Sequence, residues 1–153
     1  MLSIVIPTWN NLGLLKLCVA SLRRHTTLPF EVVLHVNDGS EGTLDWVRSE
    51  GIIHTHSAEN IGICLAMNQA AALSTQPYLV YLNDDMVCCP GWDTALMTRI
   101  RSFNTDAFMV SGTMIEPRET GNPCVIVRDY GSGPESFREG ALLHDLPVLH
   151  KDD

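Results

Sequence analysis

Two adjacent carboxylates, Asp84 and Asp85, are the pair of side chains in this sequence most suited to chemistry. They follow Asn83 and an apolar run over residues 78–82 that predicts a buried strand. Neighbouring carboxylates repel each other, and a hard divalent cation with oxygen ligands, such as Mg²⁺, would offset that repulsion. The alternative is a solvated turn in which an aspartate caps the next helix. We favour the cation site because Asp38 also follows a predicted strand.

Two further residues follow earlier predicted strands. Trp9 lies in a polar turn after the first strand, where an aromatic ring can stack on a nucleobase, although tryptophan is also common in protein cores. Asp38 belongs to an Asn-Asp-Gly-Ser turn, which by itself says little about function. Together with Asp84 and Asp85, these residues predict a polar site at one edge of a sheet.

The elements that would position these residues alternate between apolar strands and amphipathic helices. Strands are predicted over residues 3–6, 30–36, 52–56, 78–82 and 107–111, and helices over residues 14–25, 44–49, 60–72 and 92–101. This alternation predicts an α/β fold, a three-layer α/β/α arrangement with a mostly parallel sheet. Ligands bind such sheets at the carboxyl ends of the strands, near the point where strand order reverses. The polar turns after strands one, two and four lie at that edge.

The sequence changes character after Glu116. Residues 116–140 carry several glycines and prolines with little periodicity, and within them only residues 124–127 predict a strand. Residues 142–153 are too few for a separate domain. We expect this region to be the start of a segment that the chain does not contain.

Composition excludes several classes of protein. The 153 residues suit one domain, and ten Lys and Arg against eighteen Asp and Glu give a net charge of −8, which argues against binding nucleic acid. The only lysines, Lys16 and Lys151, leave little for a P-loop, a Schiff-base enzyme or a flavodoxin-like receiver. Five cysteines without metal-type spacing, and no signal peptide or membrane-spanning run, predict reduced thiols and a cytoplasmic location.

A series of motifs, in order and spacing, resembles the family 2 glycosyltransferases of the GT-A fold. The resemblance covers residues 2–115. The matching stretches are Ile4-Val5-Ile6-Pro7-Thr8-Trp9-Asn10, Ser21-Leu22, Val36-Asn37-Asp38-Gly39-Ser40, Asn60-Ile61-Gly62 with Asn68, Tyr81-Leu82-Asn83-Asp84-Asp85 and Pro90-Gly91-Trp92. The resemblance implies that residues 1–115 form the donor-binding half of a nucleotide-diphospho-sugar transferase domain. Residues 116–153 would then begin an incomplete acceptor-side half.

The resemblance implies which residues hold the nucleoside. Pro7, Thr8 and Trp9 match the turn that holds the base, and Trp9 stands where family members often stack a tyrosine. Asp38 matches the aspartate that hydrogen-bonds the base, which is usually uracil. Asn68 matches a position in the donor-site helix.

The resemblance also implies how the diphosphate is held. Asn83, Asp84 and Asp85 match the "DxD" element, in which Asp84 contacts the ribose or donor and Asp85 ligates Mn²⁺ or Mg²⁺. The implied activity is metal-dependent transfer of a sugar from a nucleotide-diphospho-sugar, with a UDP-linked donor and inversion at the anomeric carbon.

Two departures from the family pattern concern charge. Asn37 and Asn83 replace frequent aspartates, which lowers the negative charge of the site. Met67 stands where many members place an arginine near the diphosphate, and Arg118 and Arg128 are the substitutes that we consider.

A third departure is that residues 116–153 contain no convincing match to the carboxylate that serves as general base toward the acceptor. The acidic pair Asp152-Asp153 is a weak match because it ends the chain. We therefore expect the donor-binding half of a longer enzyme. The alternative is a non-catalytic module that binds a nucleotide-sugar or a partner.

The resemblance leaves the acceptor open among a saccharide, a lipid-linked carrier and a protein. It is consistent with cell-surface polysaccharide biosynthesis and with peripheral association with a membrane. A homodimer would cover apolar surface on the last strand if the chain is truncated.

Overall fold

The computed structural model describes residues 1–149, and Asp152 and Asp153 lie outside the described residues. The chain forms two compact units, Met1–Thr94 and a second unit that begins at Ala95. The predicted division near residue 115 concerns function, and it stays a prediction. Among residues 1–149, no helix is both long enough and apolar enough to cross a bilayer.

The first unit is built on a parallel sheet of four strands, and its strand order reverses once. The strands are β1 (Leu2–Trp9), β2 (Phe30–Asn37), β3 (Ile53–Ser57) and β4 (Tyr78–Tyr81), and the helices are α1 (Leu12–His25), α2 (Thr43–Ser49), α3 (Ile63–Ala71) and α4 (Trp92–Arg101), which begins at the end of the unit. The order across the sheet is β3-β2-β1-β4, with every pair parallel. The chain thus builds outward from β1 to β3 and returns to the other side of β1. The predicted α/β fold with a mostly parallel sheet is confirmed.

Burial explains why these segments form these elements. β1 is buried from Leu2 to Thr8, as expected for a central strand of a parallel sheet. α1 turns one apolar face inward, with Leu15, Cys18, Val19 and Leu22 buried at helical spacing. The buried positions of α3 are the small residues Ala66 and Ala70, which let this helix pack closely on β1 and β2.

β1 runs past its predicted end at residue 6. The sequence places the end at Pro7 because proline cannot donate a backbone hydrogen bond. In the structure the pairing of β1 with β4 ends at Val5, opposite Tyr81, whereas its pairing with β2 continues to Trp9. Pro7 therefore lies in a part of the strand that has a neighbour on one side only, and there a missing N–H is tolerated.

The strand predicted over residues 107–111 is wrong. That segment has no regular structure, and Met109 within it is 98% exposed. Its aromatic residue, Phe108, stacks on Phe103 with the ring centroids 5.8 Å apart. Phe108, which contributed to the predicted strand, thus contacts a residue close to it in sequence.

The second unit contains a short parallel pair of strands and one helix. The strands are β5 (Met114–Glu116) and β6 (Val125–Val127), and the strand predicted over residues 124–127 is confirmed by β6. The helix is α5 (Glu139–Leu149), which the sequence analysis did not predict. Its buried residues Leu142 and Leu146 are four apart, which is the spacing that could have indicated it.

Candidate nucleotide site

A cleft of about 340 Å³ opens at the carboxyl ends of β1, β2 and β4. This is the edge of the sheet at which the sequence analysis places the polar turns. The cleft is lined by Pro7, Thr8, Trp9, Asn10, Asn11, Asn37, Asn60, Ile63, Asn83 and Asp84. The structure therefore brings together five residues that the resemblance selected, namely Pro7, Thr8, Trp9, Asn83 and Asp84.

A hydrogen bond joins the two strands between which the strand order reverses. The Thr8 hydroxyl donates to Asp84 Oδ2 over 2.6 Å, although the two residues are 76 positions apart in sequence. Thr8 is 2% exposed, so its side chain has one fixed direction. A simple solvated turn does not describe Asp84, because its carboxylate is held by the end of β1.

A buried thiol supports this carboxylate-bearing turn from within the unit. The Cys18 thiol donates to the Asn83 carbonyl oxygen over 3.7 Å. Burial raises the pKa of Cys18, and the neighbouring Cys88 and Asp84 raise it further. The thiol therefore stays protonated and remains a donor to the turn.

The turns after β1 and β2 are tied to each other through Asn10 and Asp38. Asn10 Nδ2 donates to Asp38 Oδ2 over 3.0 Å, and Gly39 N donates to Asn10 Oδ1 over 3.3 Å. Both Asn10 and Asp38 have left-handed backbone conformations, with φ of 48° and 59°. The hydrogen bonds from Asn10 and Ser40 lower the pKa of the Asp38 carboxyl, so it is ionised at neutral pH and can accept hydrogen bonds.

Trp9 is 56% exposed at the mouth of the cleft. The sequence left open whether this residue packs in the core or presents its ring to a ligand. The structure decides against the core. An exposed indole at the edge of a polar cleft offers a flat face for stacking.

The two residues that flank Asp84 are both exposed. Asn83 accepts a hydrogen bond from the Tyr81 hydroxyl through its Oδ1. Burial, with the charges of Asp85 and Asp84, raises the pKa of Tyr81, so the phenol stays protonated and continues to donate. Asp85 is exposed and directly follows Asp84 in sequence.

The family resemblance also implicates Asp38, Asp85 and Asn68. In the structure of residues 1–149, these three do not line the cleft. Asp38 lies beside it, because its partner Asn10 is a lining residue. Asp85 directly follows the lining residue Asp84. Asn68 lies on the exposed side of α3. The roles of all three stay predictions.

The carboxylates at this edge suit a hard cation that is bound jointly by the protein and by the phosphates of a substrate. Within residues 1–149 there is no group of three or more His, Cys, Asp or Glu side chains arranged to hold a metal. Mg²⁺ is usually bound by one or two carboxylates together with substrate phosphates, so Asp84 and Asp85 fit that mode of binding.

Five further lining residues were not selected as site residues from the sequence, namely Asn10, Asn11, Asn37, Asn60 and Ile63. Four of them are asparagines at or shortly after strand ends. Asn10 and Asn37 each join two segments through their amides, whereas Asn60 Oδ1 accepts locally from Gly62 N. Asparagine is frequent in turns for this reason. A run of turn asparagines after successive strands was the available signal.

The fold and the cleft define the class of protein. An open parallel sheet with hydroxyl, amide and carboxylate groups at its switch point, beside an exposed indole, suits a nucleotide ligand. A model described as glycosyl transferase family 2 matches residues 3–141, which is most of the chain. The chain belongs to glycosyl transferase family 2.

Two curated relatives illustrate the similarity. The chain is 35% identical over 97 residues to validoxylamine A glucosyltransferase of Streptomyces hygroscopicus subsp. limoneus, covering 59% of this chain and 21% of that protein. It is 34% identical over 91 residues to a PGL/p-HBAD biosynthesis glycosyltransferase of Mycobacterium bovis (strain BCG / Pasteur 1173P2), covering 56% of this chain and 35% of the relative. The match thus spans well under half of each relative.

Solved structures show the same fold. S. aureus TarS 1-349 superimposes with a TM-score of 0.60 at 17% identity, covering 74% of this chain and 39% of that one. The mannosyltransferase PcManGT from Pyrobaculum calidifontis, in complex with GDP-Man and Mn²⁺, gives a TM-score of 0.60 at 20% identity, with coverage of 68% and 33%. At these identities the likeness establishes the fold.

Proposed function

We propose that this chain carries the donor site of a metal-dependent, inverting glycosyltransferase whose donor is a nucleotide-diphospho-sugar, with UDP as the nucleotide. The observation that carries this proposal is the 2.6 Å hydrogen bond from Thr8 to Asp84. It fixes a carboxylate at the switch point of the sheet, where open α/β sheets bind their ligands. Trp9 lies at the mouth of the same cleft.

The nucleoside would be held by the turns after β1 and β2. The indole of Trp9 stacks on the base, and the Asp38 carboxylate accepts a hydrogen bond from a ring N–H, which uracil provides. Asn10 orients that carboxylate by donating to it. Pro7 and Thr8 shape the turn, and Asn68 contributes from α3.

The diphosphate would be held through a divalent cation. Asp85, with Asp84 beside it, would hold Mn²⁺ or Mg²⁺. When bound, such a cation offsets the charge that develops on the departing nucleoside diphosphate. The hydroxyl of Thr8 keeps the Asp84 carboxylate in place, and the Tyr81 hydroxyl does the same for the Asn83 amide.

The choice of UDP is supported by the TarS fold neighbour, which was solved with UDP; the Asp38 carboxylate would accept equally from a ring N–H of uracil, thymine or guanine. One TarS structure is a complex with UDP-GlcNAc, whereas PcManGT is a complex with GDP-Man. Titration with UDP, GDP and dTDP will separate these nucleotides. We expect UDP to bind most tightly.

Whether the chain turns over its ligand is decided by an activity assay. The chain is incubated with UDP-glucose, UDP-GlcNAc or GDP-mannose and Mn²⁺, and release of the nucleoside diphosphate is measured. Inverting transfer requires a general base toward the acceptor, and no residue is assigned to that role. Release supports catalysis by this chain, whereas binding without release is expected both of the donor-binding half of a longer enzyme and of the alternative, a non-catalytic nucleotide-sugar-binding module.

Further proposals concern the surroundings of the protein. We propose a saccharide, lipid-linked or protein acceptor, a role in cell-surface polysaccharide biosynthesis, and a cytoplasmic location with peripheral membrane association. We also propose a homodimer that would cover apolar surface on the last strand. Light scattering of the purified chain tests the dimer.

Replacing Trp9 by alanine should weaken the binding of UDP by about tenfold, because stacking of a base on an aromatic ring contributes roughly 1–3 kcal/mol. Trp9→Phe keeps an aromatic face and should retain most of the affinity. Both variants are measured by calorimetric titration with UDP in Mn²⁺. Equal affinity of Trp9→Ala and the unmodified chain would remove Trp9 from the base site.

A further inference from the structure

Asn37 is a buried amide at the carboxyl end of β2, and it contacts three different segments of the chain. Its exposed fraction is 3%, whereas its neighbour Asp38 is half-buried. Asn37 Nδ2 donates to the Thr8 carbonyl oxygen over 3.3 Å. Asn37 Oδ1 accepts from Ile61 N over 2.9 Å, and the Ser57 hydroxyl lies 3.3 Å from the same oxygen. One side chain thus links the ends of β1 and β3 with the turn before α3.

This contact set requires a carboxamide. The Thr8 carbonyl needs a donor, whereas the Ile61 N–H needs an acceptor, and a carboxamide offers both from one planar group. An ionised aspartate only accepts, so one of its oxygens would face the Thr8 carbonyl oxygen without a proton between them. Family members often have aspartate at this position. Asn37 instead supplies both the donor and the acceptor that its neighbours require.

The neighbouring interior is also built from neutral groups. His35 has no exposed surface, and its ring nitrogens lie 2.8 Å from Thr55 Oγ1 and 3.1 Å from Ser57 Oγ. Burial lowers the pKa of His35, so the ring is neutral at physiological pH. His35 fixes Ser57, and Ser57 in turn lies against Asn37. A network of uncharged hydrogen-bonding groups thus supports the Asn37 side chain from the side of β3.

We infer that Asn37 is a positioning residue of the nucleotide cleft, which it holds open at a fixed width by clasping the end of β1 to the turn before α3. The two segments that it joins supply different parts of the cleft lining, Thr8 and Trp9 from one and Asn60 and Ile63 from the other. This inference rests on the proposed function in so far as the cleft binds a nucleotide. The clasp itself is independent of any ligand.

Two substitutions separate the contacts of Asn37. Asn37→Asp keeps an acceptor for Ile61 N–H and removes the donor to Thr8, whereas Asn37→Ala removes both. Asn104 is exposed and lies in the other unit, so Asn104→Asp and Asn104→Ala are the matched controls. Each variant is titrated with UDP in Mn²⁺, and exchange of the Ile61 amide hydrogen is followed by NMR without ligand.

We expect Asn37→Asp to lower UDP affinity by about tenfold while Ile61 stays protected from exchange, because an aspartate loses the donor to the Thr8 carbonyl and keeps the acceptor for Ile61 N–H. Asn37→Ala should lower UDP affinity at least as much and also accelerate exchange of the Ile61 amide by about tenfold. The two Asn104 variants should match the unmodified chain in both measurements.

Either of two results would overturn the inference. If Asn37→Ala binds UDP as tightly as the unmodified chain, the Asn37 contacts do not position the cleft. If the Ile61 amide hydrogen exchanges at the same rate in both, Asn37 does not clasp the two segments. If the unmodified chain binds none of UDP, GDP and dTDP, the proposed function fails. The exchange of Ile61 in Asn37→Ala then still decides whether Asn37 clasps the two segments.

Discussion

Replacing Asp85 by asparagine should abolish most of the metal-dependent affinity of the chain for UDP. Asp85 is exposed at the cleft edge, whereas the Asp84 carboxylate already accepts from the Thr8 hydroxyl. A neutral amide is a weaker ligand for a hard dication than a carboxylate. Loss of a charge-assisted contact worth about 1.5–3 kcal/mol should raise the Kd for UDP in Mn²⁺ by about 10- to 100-fold. Calorimetric titration measures this change.

The same titration in EDTA is the first control for Asp85→Asn. Without metal, the variant and the unmodified chain should bind UDP equally, because Asp85 is proposed to act through the cation. Asp106→Asn makes the same chemical change at an exposed position of the second unit and should alter neither Kd. An unchanged Kd for Asp85→Asn in Mn²⁺ would take Asp85 out of the metal site.

Replacing Asp93 by alanine should lower the free energy of unfolding by about 2–4 kcal/mol. Asp93 has no exposed surface and lies in the first turn of α4. Its Oδ2 accepts from Leu28 N over 2.7 Å, from Thr27 N over 2.8 Å and from the Thr27 hydroxyl over 3.0 Å. Alanine would leave these donors without an acceptor. Urea unfolding followed by circular dichroism measures the loss, and Asp106→Ala should cost less than about 0.5 kcal/mol.

The same carboxylate makes stability depend on acid. Burial raises the pKa of Asp93, but the hydrogen bonds from Leu28 and Thr27 outweigh burial and lower it overall. Since the folded pKa lies below the unfolded value of about 3.9, this stabilisation is present above that pH. It is lost as the pH falls through the folded pKa.

Asp93→Asn should therefore flatten the acid side of the stability profile. Its free energy of unfolding should fall less steeply than that of the unmodified chain between about pH 4 and 2. Urea unfolding at several pH values measures both slopes. Equal slopes would show that Asp93 does not contribute to the acid sensitivity.

Much of the site could be predicted because parallel strands end at a common edge. Trp9 and Asp84 were predicted to lie near each other from the strand–helix alternation, and both line the cleft. The exposure of Trp9 could not be predicted from the sequence, since tryptophan is also common in protein cores. It depends on β1 continuing beyond its pairing with β4.

The hydrogen bonds that hold the site in place could not be read from the sequence. The contact of Asn10 with Asp38 requires left-handed backbone at both residues. The contact of Asn37 with Ile61 requires that β3 and the turn before α3 bring that N–H to the amide. Such contacts depend on tertiary geometry, whereas an asparagine in a turn is compatible with many geometries.

The second unit was predicted less well because its strands are short. A three-residue strand such as Met114–Glu116, with two apolar residues and one charge, carries almost no periodicity. The longer apolar run at residues 107–111 was the stronger pattern, yet it forms no strand. Local pattern decides long elements, but tertiary pairing decides which short runs become strands.

The most direct test is a calorimetric titration of the chain with UDP, first in Mn²⁺ and then in EDTA, with circular dichroism on the same sample. We predict saturable binding at one site in Mn²⁺ and at least about tenfold weaker binding in EDTA, as expected for a cation shared between carboxylates and diphosphate. A chain that is folded by circular dichroism but binds UDP, GDP and dTDP under neither condition would contradict a nucleotide-sugar site in this cleft.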